Sequence, residues 1–108
     1  MTTPTLLAGF LRQVREHPDA PALLWHGHQT TYRELYEAAG RERERIALLG
    51  APAREPVGIL APKSPGAIAL ALACLLSERP FLLPSPALAD GQLADLFAQA
   101  GCRHVLAP

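Results

Sequence analysis

Residues 57–83 read VGILAPKSPGAIALALACLLSERPFLL. Val57-Gly58-Ile59-Leu60 has the short apolar run of a strand, and Phe81-Leu82-Leu83 has the same character. Between them, Ser64-Pro65 is a helix start: a hydroxyl to cap, then a proline whose missing N–H costs nothing in the first turn. From Gly66 to Leu76 no side chain is charged, so this helix has no wet face. A membrane does not supply the missing cover. That run rises about 17 Å as a helix, against a hydrocarbon core of about 30 Å, and Lys63 and Ser77-Glu78-Arg79 close it on both sides. A strand, an apolar helix and a second strand on short connections predict parallel pairing through a right-handed crossover, with the helix buried against the sheet.

Downstream, Asp90 is placed to cap a helix carrying Leu93, Leu96 and Phe97, Gly101 to end it, and His104-Val105-Leu106 to form a third strand. Upstream, Thr5 is placed to cap a first helix with Leu6, Leu7, Phe10, Leu11 and Val14 three and four apart. His17-Pro18-Asp19-Ala20-Pro21 stops it. Ala22–Trp25 and His28–Thr30 then read as a small hairpin about Gly27. Thr31-Tyr32-Arg33-Glu34 fits a capping box and opens a helix to about Leu49, with Leu35, Ala38, Ala39, Ile46 and Leu49 as its apolar stripe. The alternating Arg41-Glu42-Arg43-Glu44-Arg45 run reads as its solvated face, and Gly50 as the left-handed residue after its end. The fold class predicted is α/β: a small parallel sheet with crossover helices and a short N-terminal hairpin. Residues 1–108 form a single domain, without internal repeat or low-complexity segment.

Composition limits what such a domain does. Hydrophobic content of 49% with 19% charged residues describes a folded chain. Its 10 basic and 10 acidic residues cancel, so it carries no electrostatic footprint for nucleic acid and no basic patch for a membrane. The opening residues MTTPTLLAGFLRQVREHP have no basic leader, long apolar block or small-residue cleavage site. The expectation is a soluble, cytoplasmic protein. Cys74 and Cys102, each beside apolar residues, read as reduced, buried thiols. The 11 prolines are spread along the chain and mark element ends.

The chemistry-bearing residue types make no self-contained site. Gly58, Gly66, Gly91 and Gly101 are isolated and form neither GxGxxG nor GxxxxGK[ST]. His26-Gly27-His28 is the one local cluster, but it straddles a predicted turn and lacks a third ligand. Ser64 has no neighbouring base and is explained as a helix cap. Lys63, the one lysine, follows a strand end, where ligands of open parallel sheets gather; a solvated lysine is the simpler reading. No catalytic, cofactor-binding or metal-binding residue is assigned.

Several stretches, taken in order, resemble the start of the adenylate-forming superfamily, which includes nonribosomal peptide synthetase adenylation domains and acyl-CoA synthetases. Phe10–Val14 and His17-Pro18-Asp19-Ala20-Pro21-Ala22-Leu23 are similar to its opening helix and PDAPAL segment. Thr30-Thr31-Tyr32-Arg33-Glu34-Leu35 is similar to the first core motif, L-T-Y-x-E-L. Val57–Leu60 with Lys63-Ser64-Pro65 is similar to the following strand and RSP. Leu75–Pro86 is similar to the second core motif, L-K-A-G-x-A-Y-V-P-L-D-P. Gly91–Phe97 and Gly101–Leu106 are similar to the ERL helix and GARVLL strand. The chain departs from the pattern at Ser77-Glu78-Arg79, where small residues and glycine are usual, and at Ser85, where aspartate is usual.

The resemblance implies the N-terminal subdomain of such an enzyme. It also implies that the phosphate loop, adenine segment, ribose-binding aspartate and catalytic lysine lie beyond the matching region, and that the two motifs present are mainly structural. The expected function is an N-terminal piece or split-chain component of an enzyme that activates a carboxylic acid with ATP for thioester formation. It is expected to be inactive alone, with ATP and Mg²⁺ bound only by a completed enzyme. The alternative is a non-catalytic interaction or oligomerisation module of a biosynthetic assembly line. A complementary adenylation chain or self-association is the expected partner, docking through the apolar helix or the adjacent sheet edge.

Overall fold

The computed structural model describes residues 5–85 and 87–108. The side chain of Thr5, expected as a cap, and Pro86, the last residue of the second core motif, lie outside the described residues.

Helix α1 (Thr5–Glu16) buries Leu7 and half-buries Phe10, Leu11 and Val14. Leu6, expected on the same face, is instead exposed, because the stripe that fits 3.6 residues per turn is 7, 10, 11 and 14. Strands β1 (Pro21–Trp25) and β2 (His28–Thr31) pair antiparallel, with Trp25 opposite His28. The two residues between them, His26 (φ 48°) and Gly27 (φ 81°), both lie in the left-handed region, as a type I′ turn requires.

Helix α2 (Tyr32–Ala47) starts at the predicted capping box. The Glu34 N–H donates to Thr31 Oγ1 at 3.1 Å, and the Thr31 N–H donates to Glu34 Oε1 at 2.9 Å. Leu35, Ala39 and Ile46 are buried, and Gly50 (φ 67°) turns the chain away after the helix has ended. The Arg41–Arg45 run is not wholly a solvated face. Arg41, Arg43 and Glu44 are exposed, whereas Glu42 and Arg45 turn inward and pair at 2.8 Å. Glu42 continues the stripe of Leu35 and Ala39 at helical spacing, three residues after Ala39 and four before Ile46.

Strands β3 (Val57–Ile59), β4 (Phe81–Leu82) and β5 (His104–Leu106) form the expected parallel sheet, in the order β4-β3-β5. Helix α3 (Pro65–Leu76) joins β3 to β4, and helix α4 (Asp90–Gln99) joins β4 to β5. The pleat alternates the two faces of β3. Val57 and Ile59 pack with Ile46, Leu70, Ala73 and Cys74 in a core shared by α2 and α3. Gly58 faces the other way, under the ring of Phe97, which packs with Leu93 and Cys102. The sheet is thus covered on both faces, which is why its central strand is uniformly apolar.

The same layering covers the helix that has no wet face. Ala67, Ala69, Leu70, Ala73 and Cys74 of α3 are buried and most of its other side chains half-buried; only Ile68 is exposed. No helix among the described residues is long and apolar enough to cross a membrane. Asp90 is the first residue of α4 and not its cap. Ala89 holds the extended cap conformation, and Gln92 Oε1 accepts from the Ala89 N–H at 3.1 Å, while Asp90 faces the positive end of the helix dipole.

Candidate functional site

The carboxyl ends of β3 and β4 open onto the surface side by side. Ala61, Pro62 and Lys63 after β3, and Leu83, Pro84 and Ser85 after β4, line a shallow cavity of about 470 Å³. Lys63 and Leu83 also border a neighbouring groove of about 430 Å³, whose other walls are Leu23, Leu24 and Trp25 of the hairpin and Ser64, Pro65 and Ile68 at the start of α3. The hairpin and the helix start are some forty residues apart in sequence, so no local pattern announced the groove. Its lining is apolar apart from Lys63 and Ser64, and it presents no paired acid and base.

The residues singled out in the sequence fall into place around it. Ser64 Oγ accepts the Ala67 N–H at 3.1 Å, so its hydroxyl is engaged as the cap of α3. Lys63 is exposed at the junction of cavity and groove. His26 sits at the hairpin turn with its ring edge-on to Trp25, centroids 4.6 Å apart, while His28 pairs across from Trp25. Among the described residues, no three His, Cys, Asp or Glu side chains are grouped to hold a metal ion. Cys74 and Cys102 are free, buried thiols. Burial pushes the Cys74 thiol up to about 11, with the Arg79 charge opposing. Burial and then the Glu55 carboxylate push Cys102 up as well. Neither thiol is placed to act as a nucleophile at ordinary pH. The Thr31 N–H holds the Glu34 carboxyl below its ordinary value of 4.5, as expected for an acid that serves a helix cap.

Three charged residues make ties that sequence reading missed. Arg79 Nη1 donates to the carbonyls of Pro52 (3.0 Å) and Glu55 (2.7 Å), tying the turn before β4 to the loop before β3. The Glu55 carboxylate lies between Arg103 Nε at 3.5 Å and His104 Nδ1 at 3.7 Å, joining that same loop to β5. Arg45 Nη2 donates to the Ala107 carbonyl at 2.7 Å, holding the chain after β5 against α2. All three fasten the parallel sheet across long sequence separations. Glu78 (φ 55°) occupies a left-handed position where the second core motif of the resemblance has glycine. The departure is therefore tolerated by the backbone at a cost in strain rather than by a changed turn.

Comparison with known proteins agrees with this architecture. The family model for AMP-binding enzyme matches residues 10–108. Phosphinothricin tripeptide synthetase PhsC of Streptomyces viridochromogenes is 32% identical over 92 residues, which is 85% of this chain and 8% of that protein. Among solved structures, PA1221, a nonribosomal peptide synthetase protein containing adenylation and PCP domains, superposes with a TM-score of 0.79 at 25% identity, over 98% of this chain and 21% of that one. The N-terminal subdomain of NpsA from Klebsiella oxytoca shares the fold, with a TM-score of 0.84 at 20% identity over 94% of this chain and 26% of that one. The chain thus spans a small share of each protein it resembles.

Proposed function

The chain belongs to the AMP-binding enzyme family, and from that premise we propose that it is the N-terminal scaffold of an adenylate-forming unit, inert by itself and completed by further polypeptide. The observation that carries the reading is the family match over residues 10–108, supported by superposition of 98% of this chain on a solved protein with an adenylation domain. Its own sequence carries no phosphate-binding glycine loop, and the groove at the strand ends holds a single cation, Lys63, and no acid–base pair.

In the completed unit a carboxylate oxygen of the substrate acid attacks the α-phosphorus of ATP and pyrophosphate departs. A thiol then takes the acyl group and AMP leaves. ATP and its Mg²⁺ are assigned to the complementary polypeptide, because the resemblance places the phosphate loop, the ribose-binding aspartate and the catalytic lysine beyond the region that this chain matches. The contribution of the present residues is positional: the Thr31–Glu34 box sets the direction of α2, Ser64 sets that of α3, and the Arg79 and Glu55 ties hold the sheet on which the complement is built.

The test is complementation. The solved adenylation–PCP protein is truncated to remove the segment that matches this chain. The remainder is then co-expressed with the present chain, or with its own missing segment as positive control. Exchange of labelled pyrophosphate into ATP is assayed with a panel of carboxylic acids. Acid-dependent exchange with the chain, and none from the chain alone, is the expected result. Exchange with the control segment but none with this chain refutes the reading.

A further inference from the structure

The groove between the hairpin and α3 gathers four of the chain's exposed large apolar side chains into one surface. Leu24 is 76% exposed, and Trp25, Ile68 and Leu83 are 37–39% exposed around it. An unpartnered apolar surface of this kind marks an interaction site. Lys63 stands at its rim, and no ion pair among the described residues includes it. The surface therefore fits an apolar segment that brings one carboxylate. A second copy of this chain would add another Lys63 to the same face and no acid from the groove to match it.

We propose that this groove is the docking surface for the complementary part of the adenylate-forming unit, through an apolar segment with an acidic residue set against Lys63. The proposal rests on the scaffold reading above. It is favoured over other occupants because the same fold, matched over 98% of this chain, occurs in PA1221 within a much longer polypeptide. In addition, the groove continues into the cavity at the strand ends through Lys63 and Leu83, making one surface of the hairpin, the start of α3 and the carboxyl edge of the sheet.

The test uses the same co-expressed pair, with the remainder of the solved adenylation–PCP protein tagged for co-purification. Leu24→Glu and Ile68→Glu are each expected to reduce the recovered complex at least tenfold, and Lys63→Glu to reduce it severalfold with recovery in Lys63→Arg. Leu6→Glu and Leu48→Glu, which place the same charge on equally exposed leucines elsewhere, leave it within twofold. Circular dichroism melts verify that each variant is folded. Trp25 is the one tryptophan of the chain, so 5-fluorotryptophan labelling gives a single ¹⁹F resonance that is expected to shift when the complex forms. Formation of a complex that the groove variants leave intact overturns the docking assignment and spares the scaffold reading. No complex with this chain, where the control segment forms one, overturns both. Sedimentation of the chain alone supplies the last arm: self-association abolished by Leu24→Glu and Ile68→Glu gives the groove to a second copy and overturns the proposed occupant.

Discussion

Substituting Gly58 by alanine probes the contact that holds α4 on the sheet. A Cβ built there would lie 2.6 Å from both Cδ1 and Cε1 of Phe97 and 3.1 Å from Cγ2 of Val105. Carbon atoms rest about 3.5–4.0 Å apart, so the overlap with the ring is roughly 1 Å. Phe97 is buried in its own cluster with Leu93, Cys102, Leu82 and Leu88, so a shift of the ring away from the methyl group disturbs that packing. Without that clash, Gly→Ala within a strand would stabilise by about 0.5–1 kcal/mol. With it, overpacking costs about 1–3 kcal/mol, and the sign of the change separates the two cases. Urea unfolding followed by far-UV circular dichroism measures it. Gly58→Ala should lower the midpoint at unchanged slope, and Phe97→Leu alone should also destabilise, since it removes buried ring volume. In the double variant the smaller side chain makes room for the methyl group. Its loss should therefore fall short of the sum by about 1 kcal/mol, well beyond the roughly 0.3–0.5 kcal/mol within which independent sites add. A Gly58→Ala protein at least as stable as the parent, or strict additivity, refutes the placement of Phe97 over β3.

Glu78→Gly removes a left-handed non-glycine residue at φ 55° and should raise the melting temperature by a few degrees, a net gain of about 0.5–1 kcal/mol after the extra freedom of the unfolded chain is discounted; an unchanged or lower melting temperature contradicts the strain. Cys74, with its thiol pushed up to about 11 from an ordinary 9.0, keeps its proton in the folded chain at a pH where the unfolded chain has lost it. Its contribution is complete below pH 9 and is lost as pH rises toward 11. The urea midpoint of the parent should therefore fall more steeply over that window than that of Cys74→Ala, and parallel declines would show that the thiol is not buried as described.

Much of the fold is legible locally. The Thr31–Glu34 box and the Ser64 cap need only residues three apart, and both form as read. The apolar helix between two apolar strands points to parallel packing, which forms, whereas the order β4-β3-β5 is set by the packing of the whole chain and is not read from the sequence. The errors arise where a local rule competes with a tertiary one. Alternating charge at 41–45 reads as solvated, yet Glu42 lies on the same helical stripe as Leu35, Ala39 and Ile46 and is drawn inward to Arg45. That spacing is present in the sequence but is outweighed by the charge. Asp90 is a good capping residue, but the extended backbone comes one residue earlier, and Gln92 reaches back to Ala89. The groove is not legible at all. It exists because the hairpin residues Leu24 and Trp25 are set beside Ile68 and Leu83 by the packing of the whole chain, and no sequence separation encodes that meeting.

The most direct test of the account is acid-dependent pyrophosphate exchange as this chain is titrated into the truncated adenylation protein. If the chain is the scaffold of an adenylate-forming unit, exchange rises with added chain, saturates near one equivalent, and is absent from either component alone. Saturating exchange with the control segment and none at any concentration of this chain would contradict it.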